Sequence, residues 1–232
     1  MKRKALLIGN TGGLEGVAID LQKMSKFLRS PLGGEWSSSE IFSGLDPTRA
    51  RTLALLEQIK SEKVDYFLFL FTGHGSHYGQ TYCNLNEKNE KLLESDLNFI
   101  ADRQLSIFDC CRVIDRTVTA SVEELHEAYD SATSTRQRYD ARIMSTPNQH
   151  VSLYSCSEGQ SSYDSPRGAI YFGNLLDSAK AIGDAPWRAV EEVHKEAKVL
   201  TSTQCRIQGR LQTPQAVLPK LMPAQQLILS IR

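Results

Sequence analysis

Two short segments hold the residues with chemistry in them. FTGHGSH (71–77) sets His74 between Gly73 and Gly75, and LSIFDCCRV (105–113) runs into Asp109, Cys110, Cys111 and Arg112. A cysteine attacks as its thiolate, and an imidazole within reach can take the thiol proton and later return it to a leaving group. Gly73 and Gly75 let the backbone turn sharply beside the histidine and leave N–H groups open to a substrate oxygen. Cys110 and Cys111 compete for the role of nucleophile. Successive side chains of a strand point to opposite sides, so one of the two faces the interior and is inert.

The elements around these segments alternate between strand and helix signals. ALLIGN (5–10) is a short apolar run closed by a turn, and GVAIDLQKMSKFL (16–28) places Val17, Leu21, Met24 and Leu28 on one helical face. SEIF (39–42) reads as a strand, and a helix opened by Asp46-Pro47 runs through RARTLALLEQIKSE (49–62). YFLFLF (66–71) is apolar on both faces, as a strand covered by helices on each side must be. LLESDLNFIADR (92–103) reads as a short helix and LSIFD (105–109) as a buried strand. SVEELHEAYDSATSTRQRYDARI (121–143) reads as a charged, exposed helix, and VSLYSC (151–156) as a strand. Helices are expected around 169–180 and 186–200, and a last strand at 226–231. This order predicts one α/β domain over residues 1–232, with a mainly parallel sheet and helices on both faces. In such sheets ligands sit at the carboxyl ends of the strands, where His74 and Cys111 both fall.

The whole composition narrows the partners. Lys plus Arg and Asp plus Glu number 27 each, so no net field points to nucleic acid or an anionic membrane. No run reaches the length of a membrane span. MKRKALLIGN lacks the cleavage site of a secretory signal. The five cysteines (Cys83, Cys110, Cys111, Cys156, Cys205) are odd in number and form no CxxC pair, which fits free thiols in a reducing, cytoplasmic setting. Cys83, Cys156 and Cys205 are expected to be small apolar fillers.

Taken together and in order, these blocks resemble the caspase and metacaspase superfamily of cysteine peptidases, on its metacaspase and paracaspase side. FLFLFTGHGSH is similar to the superfamily's strand ending in Ser/Thr-Gly-His-Gly, and FDCCRV to its Asp-x-Cys strand. CSEGQSSYD (156–164) is similar to the metacaspase pattern Cys-x-x-x-Gln-x-Ser-x-Asp, and ALLIGN with LEGVAIDLQKMSKFL to the first strand and helix. The interval from His74 to Cys111 is 111 − 74 = 37 residues, shorter than the roughly 50 of caspases, and Val113 stands where a small residue is common. The length fits a prokaryotic member.

The resemblance implies a three-layer αβα sandwich and an endopeptidase acting on protein or peptide substrates. Cys111 would be the nucleophile, His74 its acid–base partner, and the N–H groups of Gly75 and Cys111 the oxyanion hole. Asp20 and Asp109 match the acidic residues of the metacaspase specificity pocket, so cleavage would follow Arg or Lys. A strand-end pairing of Asp109 with Arg112 is the plainer alternative for that acid. Arg136, Arg138 and Arg142, in the segment between the Cys111 strand and the next one, would be candidate self-cleavage sites; an intact helix there would resist cutting.

Other readings fare less well. His74, His77 and Cys83 fit no common zinc spacing, so no metal is assigned, and His77, His126, His150 and His194 are read as surface or core residues. GNTGGLEG (9–16) lacks the glycine spacing and the Lys-Ser/Thr ending of a phosphate loop, which disfavours a nucleotide-binding protein. No cofactor is expected. Calcium activation is compatible with the resemblance, but no EF-hand loop is visible. The rival class is a caspase-like scaffold acting through a regulatory partner protein.

Overall fold

A computed structural model describes residues 1–113 and 133–232. Its elements run β1 (Arg3–Gly9), α1 (Val17–Arg29), β2 (Ile41–Leu45), α2 (Arg49–Ser61), β3 (Tyr66–Gly73), β4 (Gly75–His77), β5 (Thr81–Asn84), β6 (Lys91–Leu93), β7 (Arg103–Cys110), α3 (Thr133–Met144), β8 (Gln149–Tyr154), α4 (Ile170–Lys180), β9 (Trp187–Ala189), α5 (Val190–Ile207), β10 (Gln215–Val217) and β11 (Ile228–Ile231). The main sheet has the order β10-β8-β7-β3-β1-β2. All of its pairings are parallel except β10 on β8. A three-stranded antiparallel sheet, β4-β5-β6, stands beyond the end of β3, and β9 pairs with β11.

Strand alternation divides the interior into two cores. Leu68, Leu70, Leu105 and Ile107 face α1, α3, α4, α5 and β11. Phe67, Phe69, Phe71, Phe108 and Cys110 face the other way, against Leu56 and Ile59 of α2 and Cys83, Leu85 and Leu92 of the small sheet. Continuous apolar runs in β3 and β7 follow from this, since both faces of a covered parallel sheet must be apolar. The register pairs Thr72 with Asp109 and Gly73 with Cys110. His74 and Cys111 therefore leave neighbouring strands at the same level, on strands about 4.8 Å apart.

Several elements differ from the sequence reading. Residues 92–103 hold the short strand β6 and a 3-10 turn at Glu94–Leu97, not a helix. Strand β2 begins at Ile41, after a 3-10 turn at Ser38–Glu40. Residues 186–200 begin as strand β9 before α5 starts at Val190. The last strand, β11, stays outside the main sheet, whose antiparallel edge is β10 instead. Helix α2 is capped by Thr48, whose side chain accepts from Arg51 N, and not by Asp46.

Of the helix expected at 121–143, residues 121–132 and with them His126 lie outside the described residues. Helix α3 covers the rest and is not an exposed helix: Tyr139 and Ile143 are buried. Arg136 pairs with Glu40, and Arg142 donates to the Gln226 carbonyl at 2.9 Å. Cleavage after either would first require this helix to open, which speaks against both as self-cleavage sites.

Candidate active site

His74 is held by its neighbours on both sides. Gly73 has φ +133°, and a Cβ there would sit 2.6 Å from the Asn10 carbonyl oxygen, so only glycine lets β3 end against β1. The His74 ring then lies with Nε2 2.9 Å from the Gly12 carbonyl oxygen. A carbonyl can only accept, so Nε2 carries a proton, and in the neutral ring the lone pair then lies on Nδ1. The glycine-rich loop that sequence comparison set aside as a phosphate cradle is thus the histidine's rest. Gly12 is needed there, since a Cβ would come 2.5 Å from His74 Cδ2.

Cys111 is half-buried, with Sγ 3.6 Å from the Ser162 carbonyl oxygen. Burial pushes its thiol up, so the resting group is a thiol, and attack by its sulfur would need a base. Cys110 is fully buried on the opposite side of β7. Its thiol is pushed far up by a hydrogen bond with the Cys83 thiol and by burial. A Cβ on Gly75 would lie 2.5 Å from Cys110 Sγ, so Cys110 fills the space beneath the Gly75 backbone.

Arg112 turns into the protein and stacks over Tyr154, 4.3 Å from the ring centre. Its Nη2 reaches His77 Nδ1 at 3.2 Å and Glu158 at 3.5 Å. Asp109 therefore does not pair with Arg112. It accepts instead from Ser162 Oγ at 2.6 Å and from Phe172 N at 2.9 Å. The backbone of 156–164 clasps the chain just after β7, with Arg112 N donating to Gln160 O at 3.0 Å and Gly159 N to Arg112 O at 2.9 Å.

Asp20 is fully buried and accepts from Ala169 N at 2.9 Å and Thr72 Oγ1 at 3.3 Å. Asp20 and Asp109 thus both sit at the N-terminus of α4, where exposed N–H groups favour negative charge. Burial still dominates. It pushes Asp20 up to about 8, with Asp109 and Asp164 adding like-charge repulsion, and Asp109 up to about 6.

Asp164 is the residue that sequence reasoning missed. It accepts from Gly16 N, at the start of α1, at 3.0 Å. One oxygen of Asp20 and one of Asp164 are buried without a hydrogen-bond partner, an expensive arrangement for carboxyl groups. Asp164 stands in the quoted 156–164 block, but nothing in the sequence distinguishes its acid from a surface one.

Comparison with known proteins bears on the family and the fold. The family model described as the caspase domain matches residues 2–221. No curated protein matches the sequence. Among solved structures, a Geobacter sulfurreducens protein determined by structural genomics aligns over 100% of this chain and 98% of its own, with TM-score 0.64 and 17% identity. Caspase-1 from Spodoptera frugiperda aligns over 94% and 86%, with TM-score 0.61 and 12% identity. At these identities the likeness carries the fold.

Proposed function

The chain belongs to the caspase-domain family, and on that premise we propose that residues 1–232 form one peptidase domain that cleaves proteins after Arg or Lys through a His74–Cys111 dyad. His74 Nδ1 takes the Cys111 thiol proton as Sγ bonds to the scissile carbonyl carbon, and the carbonyl electrons move to oxygen. The N–H groups of Gly75 and Cys111 stabilise that oxyanion. Its collapse breaks the C–N bond, and the departing amine takes the proton from His74. Water, losing a proton to His74, then hydrolyses the thioester and restores the thiol.

Of the two acids that the resemblance assigns to the pocket, Asp109 has both oxygens engaged by Ser162 Oγ and Phe172 N, so Asp164 is put in its place, and the observation that carries the specificity is the pair of orphaned carboxyl oxygens on Asp20 and Asp164. A guanidinium offers fixed, paired donors that would satisfy both at once, and a lysine ammonium would satisfy them as a point charge. An aspartate side chain would instead bring a third carboxylate into a dry acidic site. Peptides differing only in the residue before the scissile bond test this. The Arg peptide should exceed the Asp peptide in kcat/KM by more than about 100-fold. Equal rates, or preference for Asp, would overturn the pocket assignment. Hydrolysis of neither peptide would favour the scaffold reading.

A further inference from the structure

We infer that Asp46 is a positioning residue for His74, acting through the backbone of Thr11 and Gly12. Asp46 follows β2 with a left-handed backbone, φ +47°, and its side chain is turned inward at 8% exposure. Its two oxygens grip one residue: Oδ1 accepts from Thr11 N at 2.9 Å, and Oδ2 from Thr11 Oγ1 at 2.8 Å. Asp46 N is itself tied to the Gly9 carbonyl oxygen at 2.7 Å. The peptide that follows Thr11 leads into Gly12, whose carbonyl meets His74 Nε2.

Gly12 and Gly13 have positive φ of 30° and 80°, so this loop has no intrinsic preference to hold its carbonyl in place. Besides the turn bond from Leu14 N to the Thr11 carbonyl, Asn10 and Asp46 anchor it. Asn10 fixes one side, with N on the Thr72 carbonyl and Nδ2 on the Asn84 carbonyl. Asp46 fixes the side that bears the Gly12 carbonyl, through two charge-assisted bonds. The same aspartate in the sequence looks like a helix opener, a role that Thr48 fills. If the Gly12 carbonyl drifts, the ring loses the partner that fixes its tautomer, and the lone pair at Nδ1 is no longer guaranteed. Nucleophile and base then meet less often in the reactive form.

The rate arm of the test rests on the peptidase reading, whereas the spectroscopic arm stands without it. In wild type, nitrogen-15 NMR of histidine-labelled protein should report His74 as the Nε2-protonated tautomer at neutral pH. Asp46→Ala should turn this into a mixture and lower kcat on an Arg peptide by about tenfold or more, with KM within about twofold. Asp46→Asn keeps an oxygen for Thr11 N and should recover much of the loss. Thr11→Val removes only the hydroxyl bond, is gentler on the fold, and should fall between wild type and Asp46→Ala in both readouts. Unchanged tautomer and unchanged kcat in either folded variant would overturn the inference. If wild type cleaves no peptide, the peptidase reading fails, and the tautomer comparison alone decides the role of Asp46.

Discussion

Cys111→Ala is expected to lower kcat/KM on an Arg peptide by at least about 10³-fold while leaving the fold intact. The half-buried thiol's contact with the Ser162 carbonyl is long, 3.6 Å, so its loss should cost no more than about 1 kcal/mol of stability. Cys110→Ala should behave in the opposite way. Cys110 is fully buried, packed under Gly75 and bonded to the Cys83 thiol. Removing its sulfur leaves a small cavity costing about 1 kcal/mol or more, with activity lowered less than about tenfold through the loosened Gly75 backbone. Peptide kinetics and thermal melts on the two variants separate the roles. Loss of activity confined to Cys110→Ala would exchange them.

Asp20→Asn should weaken catalysis and strengthen the fold in the same protein. Removing the acid that would give up its proton when a guanidinium enters should lower kcat/KM for Arg peptides by about 10²-fold, since charged hydrogen bonds in dry sites are worth about 1.5–3 kcal/mol. Stability moves the other way. The folded carboxyl keeps its proton up to a pH of about 8, whereas in the unfolded chain it releases it near 3.9. Between those values the folded state binds the extra proton, so wild-type stability declines as pH rises, by at most about 1.4 kcal/mol per pH unit. Asn does not titrate and keeps an acceptor for Ala169 N. The variant should melt several degrees above wild type at pH 8, with the gap closing toward pH 5, because 1 kcal/mol moves a domain of this size by about 2–4 °C. A variant that melts lower at pH 8 would contradict the strained-carboxyl account.

These expectations show which parts of the molecule were legible in its sequence. The strands β1, β3 and β7 were readable because both of their faces are buried, and Gly9 and Gly73 marked where β1 and β3 stop. His74 and the cysteine pair were singled out for the same reason, a reactive residue directly after an apolar run having few other uses, and Cys111 was preferred to Cys110 on the resemblance to Asp-x-Cys. The strands β4, β5, β6, β9 and β10 are three or four residues long, too short for a period to show. Residues 92–103 looked helical because Leu93, Leu97 and Ile100 recur at helical spacing, yet Leu97 and Ile100 pack in the core shared by the small sheet and α2. Asp46, Asp109 and Asp164 depended on contacts made far away in the chain. Asp46 grips Thr11, 35 residues earlier, and Asp164 meets Gly16 N, 148 residues earlier. No local pattern records such pairings.

The central claim is that Cys111 is the nucleophile of a site selecting basic side chains, and covalent capture tests it most directly. Wild-type protein would be treated with a peptidyl chloromethyl ketone ending in Arg, digested, and its labelled peptide sequenced by mass spectrometry, beside the same reagent ending in Asp. The account predicts one adduct per chain, on Cys111, formed at least about 100-fold faster by the Arg reagent and absent from His74→Ala on the same time scale. Labelling on Cys110 or at scattered cysteines, or equal rates for the two reagents, would contradict it.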